Sequence, residues 1–302
     1  MTTTMVTGGL GYCGRHIVDA LRARGEHVVS YNRDYAESGS DGVTLVQGEL
    51  YDVPRLLDTI NRHSVQRIVH TAAMSHPDLS IEFPIGTFQA NVEGTVTLFE
   101  AARLAGIRRI VYFSSETVYG HIDGSVREDA PLHPTTPYGV TKVTGELLAD
   151  VYTRLYELDA VSLRFSEVYG PGNKMPTALR DMLLAAVHGE SFRMPDGGDH
   201  RFQFIHVDDV TRATLCALDC NGVEQRVFNI TGGSQVSLSD AVRVVRDAVP
   251  GSDIEVGPGF WHLDRQGEWD ISAAERELGY RPGVSLADGV ATYADWLREH
   301  PY

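Results

Sequence analysis

Thr7-Gly8-Gly9-Leu10-Gly11-Tyr12-Cys13-Gly14 is the stretch on which the fold turns. It follows a run of β-forming residues, 3–7, and opens a segment, 14–24, whose apolar side chains recur at helical spacing. Glycines between a strand and a helix allow a tight turn, let the backbone approach a pyrophosphate and let the helix pack closely on the strand. The first helical turn then offers unpaired N–H groups to the anion. A Gly-x-Gly-x-x-Gly pattern alone is weak, but the strand before it and the helix after it point to dinucleotide binding.

Working outward, runs rich in β-formers occur at 28–31, 43–47, 67–70, 109–114 and 160–165, with 227–230 as a further strand. Between them, 54–62, 83–105 and 138–158 have the spaced apolar residues of helices that lay one face on a sheet. Strand and helix in alternation predict an α/β fold with a doubly wound parallel sheet. After Phe165 the rhythm changes, with Gly and Pro clustered at 170–176 and 195–198, and the remaining helical segments fall at 237–248, 272–278 and 285–298. The expected division is a dinucleotide-binding domain from 1–165 and 203–231, and a smaller discontinuous substrate-binding lobe from 166–202 and 232–302, over the C-terminal ends of the strands.

Composition narrows the function. The 302 residues are 42% hydrophobic and 22% charged, as in ordinary globular proteins, and the formal charge of −15 argues against a nucleic-acid partner. The three cysteines Cys13, Cys216 and Cys220 form no CxxC pair, which fits a reducing compartment. No stretch has the pattern of a signal peptide or the length of a membrane span, so a cytoplasmic location is expected. The twelve histidines form no HExxH or HxxxH pattern, and no metal site is expected. Nor is there a GxSxG elbow to suggest a hydrolase.

The second strand ends in Tyr31-Asn32-Arg33-Asp34. An acid at this place would favour the free ribose 2′-hydroxyl of NAD, whereas a guanidinium grips a 2′-phosphate. Asn32 and Arg33 therefore favour NADP, with NAD left open if Asp34 meets the ribose instead. Farther on, Tyr138-Gly139-Val140-Thr141-Lys142 places a phenol and an ammonium one helical turn apart. A nearby ammonium lowers a phenol pKa, so this tyrosine is expected to titrate below its free value and to exchange a proton with an alcohol or carbonyl during hydride transfer.

With the glycine loop, this pair resembles the extended short-chain dehydrogenase/reductase family, the NAD(P)-dependent epimerase/dehydratase group, over nearly the whole chain. Ser114-Ser115-Glu116-Thr117-Val118-Tyr119-Gly120, Asn91-Val92-Glu93-Gly94-Thr95, Leu163-Arg164-Phe165-Ser166-Glu167-Val168-Tyr169-Gly170-Pro171 and Leu278-Gly279-Tyr280-Arg281-Pro282 are similar to further segments of the family. The resemblance implies a Rossmann fold and a catalytic set of Ser115, Tyr138 and Lys142. It also implies a cofactor site drawn from Gly8, Gly11, Tyr12, Cys13, Gly14, Asn32, Arg33, Glu49, Leu50, Ala72, Ala73, Asn91, Ser114, Tyr138 and Lys142.

The departures from the family pattern concern the substrate. Thr117 stands where the dehydratases carry a base, and in an extended segment Glu116 would face the opposite way. Glu167 replaces the Asn that meets a nucleotide-sugar, and Phe202 replaces an Arg, with Arg201 beside it. Ser75, His76, Glu116, Thr117, Glu167 and Arg201 are the candidate substrate residues. The expected activity is hydride transfer between nicotinamide and a secondary alcohol or carbonyl of a sugar-like or small polar substrate, with sugar epimerisation as the alternative. Helices at 83–105 and 138–158 carry more apolar surface than one sheet requires, and a homodimer is expected.

Overall fold

The computed structural model describes residues 2–34 and 41–300. Seven strands, β1 (Thr3–Thr7), β2 (His27–Asn32), β3 (Val43–Gln47), β4 (Arg67–His70), β5 (Arg109–Ser115), β6 (Asp159–Phe165) and β7 (Val227–Ile230), form one sheet in the order β7-β6-β5-β4-β1-β2-β3. Every pairing within it is parallel. The order reverses between β1 and β4, and ligands of open α/β sheets lie outside the strand ends at such a crevice.

Successive strand residues feed opposite faces, as the pleat demands. Met5, Val29 and Ile110 pack beneath α2 (Val53–Arg62), α5 (Gly94–Leu104) and α6 (Pro137–Tyr156), meeting Leu56, Ile60, Leu98, Phe99 and Ala149. Val6, Val28 and Val111 face the other way, toward Ile17 and Leu21 of α1 (Tyr12–Ala23) and Val210 and Ala213 of α8 (Val207–Asp219). A third core joins Leu179, Met182 and Leu183 of α7 (Ala178–His188) to Val242 and Val245 of α9 (Leu238–Ala248) and to Val290 and Leu297 of α10 (Leu286–Glu299).

The single helix expected over 83–105 is broken. Two short helices, α3 (Pro77–Glu82) and α4 (Pro84–Phe88), are followed by a π-helical turn at Gln89–Glu93, and only then by α5. Pro84 lacks an N–H and pushes the preceding residue out of helical geometry, and Phe83 accordingly sits at φ −126°. The helix expected over 272–278 is a π-helical turn, Ala274–Leu278, closed by Gly279 at φ 70°. Helix α6 starts where Thr136 accepts a hydrogen bond from the Gly139 N–H at 3.2 Å, with Pro137 in the first turn, where its missing donor costs nothing.

Candidate active site

The glycine loop closes the crevice from below. Gly8 has φ 72°, and a Cβ there would come within 2.9 Å of the Ala72 backbone. A Cβ on Gly14 would lie 2.1 Å from the Gly8 carbonyl, so the helix start and the turn touch through glycine alone. Gly11 caps α1 without a side chain, leaving first-turn N–H groups directed at the space above. This bare cradle fits a dinucleotide pyrophosphate.

Above it lies a cavity of about 540 Å³, lined by Gly8, Gly11, Tyr12, Cys13 and Gly14 on one side and by Ala72, Ala73 and Ser75 on another. Ser114, Ser115, Glu116, Thr117, Tyr138, Lys142 and Glu167 complete the wall, so the expected catalytic set meets the glycine loop in one space. The Tyr138 phenol is hydrogen-bonded to Ser115, whose Oγ also accepts from the Thr117 N–H at 3.3 Å and the Thr117 hydroxyl at 3.1 Å. Lys142 Nζ donates to the Phe113 carbonyl at 2.7 Å and lies 5.4 Å from the Tyr138 ring centre. Asn91, on the π-helical turn, accepts from the Met74 N–H at 2.8 Å and donates to the Met74 carbonyl and the Thr141 hydroxyl. It thereby ties the strand-end loop to α6.

The electrostatics correct one expectation. Burial pushes the Tyr138 phenol above its ordinary value, and Cys13 and Glu116 push the same way against the lowering Ser115 bond. Burial also brings Lys142 down to about 8, opposed by the Glu146 carboxylate. The phenol is therefore not set below 10 in the chain itself: burial dominates, and the lowering influence on it is the Ser115 bond rather than the Lys142 ammonium. Burial pushes the Cys13 thiol up to about 12, which makes it a filler of the loop rather than a nucleophile.

Glu116 is a second correction. The chain after β5 turns into a 3₁₀ turn, Glu116–Val118, in place of an extended segment, and Glu116 and Thr117 line the same cavity. Burial, then the charges of Glu167 and Asp264, push Glu116 well above the usual carboxylate range, and burial brings Glu167 up to about 7. Of the remaining candidates, His76 caps α3, accepting from the Leu79 N–H at 3.4 Å, and is not among the lining residues. Arg201 points to Gln235 at 3.1 Å, also away from the cavity, while Phe202 stacks on Phe204 with centroids 5.3 Å apart.

A smaller cavity of about 380 Å³ at the end of β2 is lined by Leu10, Asn32, Asp34, Gln47 and Arg55. The Asn32 amide is spent within the protein, accepting from the Leu10 N–H at 2.9 Å and donating to Ser30. Arg33 is exposed, reaches Asp34 at 3.4 Å and does not line this cavity. Glu49 and Leu50 act as supports, the first through its carbonyl to Tyr31 and the second beneath Gly94. Arg55, Lys174 and Thr177 line the cavities but lie outside every motif, so no sequence signal marks them.

The family model described as the NAD dependent epimerase/dehydratase family matches residues 4–231. The chain belongs to this family. It is 33% identical to the UDP-glucose 4-epimerase of Mycolicibacterium smegmatis, over 98% of this chain and 98% of the relative. It is also 33% identical to the dTDP-glucose 4,6-dehydratase of Streptomyces antibioticus, over 98% of this chain and 92% of the relative. Among solved structures, MoeE5 in complex with UDP-glucuronic acid and NAD superposes with a TM-score of 0.89 at 31% identity, covering 98% of this chain and 99% of that one. The family member described here is an enzyme, a nicotinamide-dependent oxidoreductase of the extended short-chain type with a Rossmann sheet. Among the described residues no helix is long and apolar enough to cross a membrane.

Proposed function

We propose that this enzyme epimerises a ring carbinol of a sugar or sugar-nucleotide, with Ser115, Tyr138 and Lys142 as its catalytic residues. The observation that carries the reading is the convergence of these three side chains with the glycine cradle on one cavity. Bound nicotinamide supplies the hydride acceptor and donor, held by Gly8, Gly11, Gly14 and Lys142. As the phenolate, Tyr138 would take the carbinol proton as the carbonyl forms and return it after the sugar has turned its other face. Ser115, already an acceptor for Thr117, is placed to donate to the reacting oxygen once the phenol is ionised. Thr117, with no ionisable group, does not act as the base that water elimination needs, and Glu116, which also lines the cavity, is held protonated by burial, which favours epimerisation over dehydration.

The test is to incubate the enzyme with UDP-glucose, UDP-glucuronic acid, dTDP-glucose and the corresponding free sugars, reading products by proton NMR and nicotinamide by absorbance. Interconversion of epimers without accumulation of reduced nicotinamide is expected. Stoichiometric reduction of added cofactor would overturn it in favour of net oxidation, the reading that Arg33 favours through a preference for NADP. That preference is part of the proposal. Asn32 presents no carboxylate to the ribose, and the exposed Arg33 and the cavity-lining Arg55 are the cations available for a 2′-phosphate. Arg33→Ala should weaken NADP by about 1–3 kcal/mol and leave NAD unchanged, and equal wild-type affinity for the two would refute it.

The functional unit proposed is a homodimer. Ile81 of α3, Ile85 and Phe88 of α4, Leu104 of α5, and Leu147 and Leu155 of α6 are exposed apolar residues on helices that pack against one another. Exposed apolar side chains on four neighbouring helices are what an interface with a second copy would cover.

A further inference from the structure

We infer that the wall of the cavity formed by Glu116, Ser166 and Glu167 is a subsite for a protonated amine, so that the substrate is an amino sugar. This rests on the proposed carbinol chemistry at Tyr138. Among the described residues neither glutamate makes a side-chain hydrogen bond or an ion pair, although both line the cavity. Beside them the Ser166 hydroxyl is buried at 4% exposure and has no partner, a polar group that a ligand would satisfy. The nearby cations are already committed or outlying. Arg15 donates to the Leu10 carbonyl, Lys142 to the Phe113 carbonyl, and Lys174 is exposed on the rim.

Burial, then the charges of Glu167 and Asp264, oppose ionisation of Glu116, so any negative charge on this wall is left without a counter-charge in the chain. Two carboxylates brought together out of water cannot both ionise cheaply, and a cation between them removes that cost. A diphosphate would add charge of the wrong sign. The neutral hydroxyls of a plain sugar would leave a charge on this wall uncompensated, whereas an ammonium satisfies both carboxylates and donates to Ser166. Glu116 and Tyr138 line the same cavity, so an amine held there shares that space with the reacting carbinol.

The probes are the 2-amino, 3-amino and 6-amino deoxyglucoses and their N-acetyl forms, each free and as the UDP conjugate, bound to cofactor-loaded wild-type enzyme by calorimetry. At least one amine should bind about tenfold or more tightly than its N-acetyl partner, the equivalent of one charge-assisted hydrogen bond. Glu167→Gln should bring that ratio close to one, and Glu116→Gln serves if the first variant does not fold. A ratio near one for every wild-type pair, or a ratio retained in both variants, overturns the subsite. Hydride transfer is read separately on the same probes. Transfer from N-acetyl and amino forms alike would sink the amine subsite and leave the carbinol chemistry standing, whereas selective amine binding without transfer would sink the chemistry and leave the subsite.

Discussion

Glu146→Gln is the substitution that most directly joins the fold to the site. Helix α6 presents Tyr138, Lys142 and Glu146 at intervals of four residues, on one face. The Glu146 side chain is 5% exposed and meets the 3% exposed Arg164 through two bonds, at 2.8 and 2.6 Å. Ser114 donates to the same carboxylate. Glutamine turns one acceptor into a donor that faces a donor, so Arg164 keeps one bond to the remaining amide oxygen besides Tyr119 and the Glu128 carbonyl, at 2.7 and 2.9 Å, and its charge loses its counter-charge. Unpairing a buried charge in this way costs about 3–5 kcal/mol. For a chain of this size that lowers Tm by roughly 5–10 °C. Glu146→Met combined with Arg164→Met removes both charges and should recover most of the loss, since a packed apolar pair is close to neutral with a buried ion pair. The double variant nevertheless loses the charge that holds Lys142 up, so its ammonium should titrate below the wild-type value of about 8. Differential scanning calorimetry reads the first effect and NMR of labelled lysine the second. A single variant within about 1 °C of wild type would refute the ion-pair reasoning, and an unmoved Lys142 titration in the double variant would refute the link between them.

Three other expectations follow from the same geometry. Tyr138→Phe removes one hydrogen bond to Ser115, worth about 0.5–1.5 kcal/mol of stability, while kcat falls by about 10²–10⁴-fold; activity within threefold of wild type would remove the tyrosine from the mechanism. Lys142→Met should stabilise the fold while abolishing turnover. The folded pKa of about 8 lies below the ordinary 10.5, so the burial penalty is complete below pH 8 and fades as pH rises toward 10.5. The gain, on the order of 1–3 kcal/mol, should therefore be seen by urea denaturation at pH 7 and vanish above pH 10.5, and a destabilised variant at pH 7 would contradict it. Leu147→Glu with Ile85→Glu should convert the dimer to monomer by light scattering, and an unchanged mass would exclude these helices as the interface.

The central sheet was legible because its strands, all but the half-buried edge strand β3 largely buried, read as compact β-rich runs, and because the glycine loop marks where the first one ends. Helices α7 and α8 went unread. Their segments, Ala178–His188 and Val207–Asp219, follow turn-rich stretches and a motif that drew the eye to chemistry rather than periodicity. That Tyr138 and Lys142 would share the cavity wall was legible since they are neighbours on one helix. The orientation of Glu116 was not, because a strand pattern cannot announce the 3₁₀ turn that ends it. Equally hidden was the state of Tyr138, where burial outweighs the Ser115 bond, since spacing along a helix carries no measure of desolvation.

The π-helical turn at Gln89–Glu93 sets local economy against architecture. Such a turn amounts to one residue more than an α-helix would hold, inserted where α4 runs into α5. Deleting a single residue there would restore ordinary hydrogen bonding, yet it would rotate everything on one side of the cut by about 100° relative to the other. Asn91 would swing away from Met74 and Thr141, and the brace between the strand-end loop and the tyrosine helix would part. A shortened chain would thus form a better helix and a poorer enzyme, so selection for helix stability alone would erase this turn and selection for catalysis would keep it.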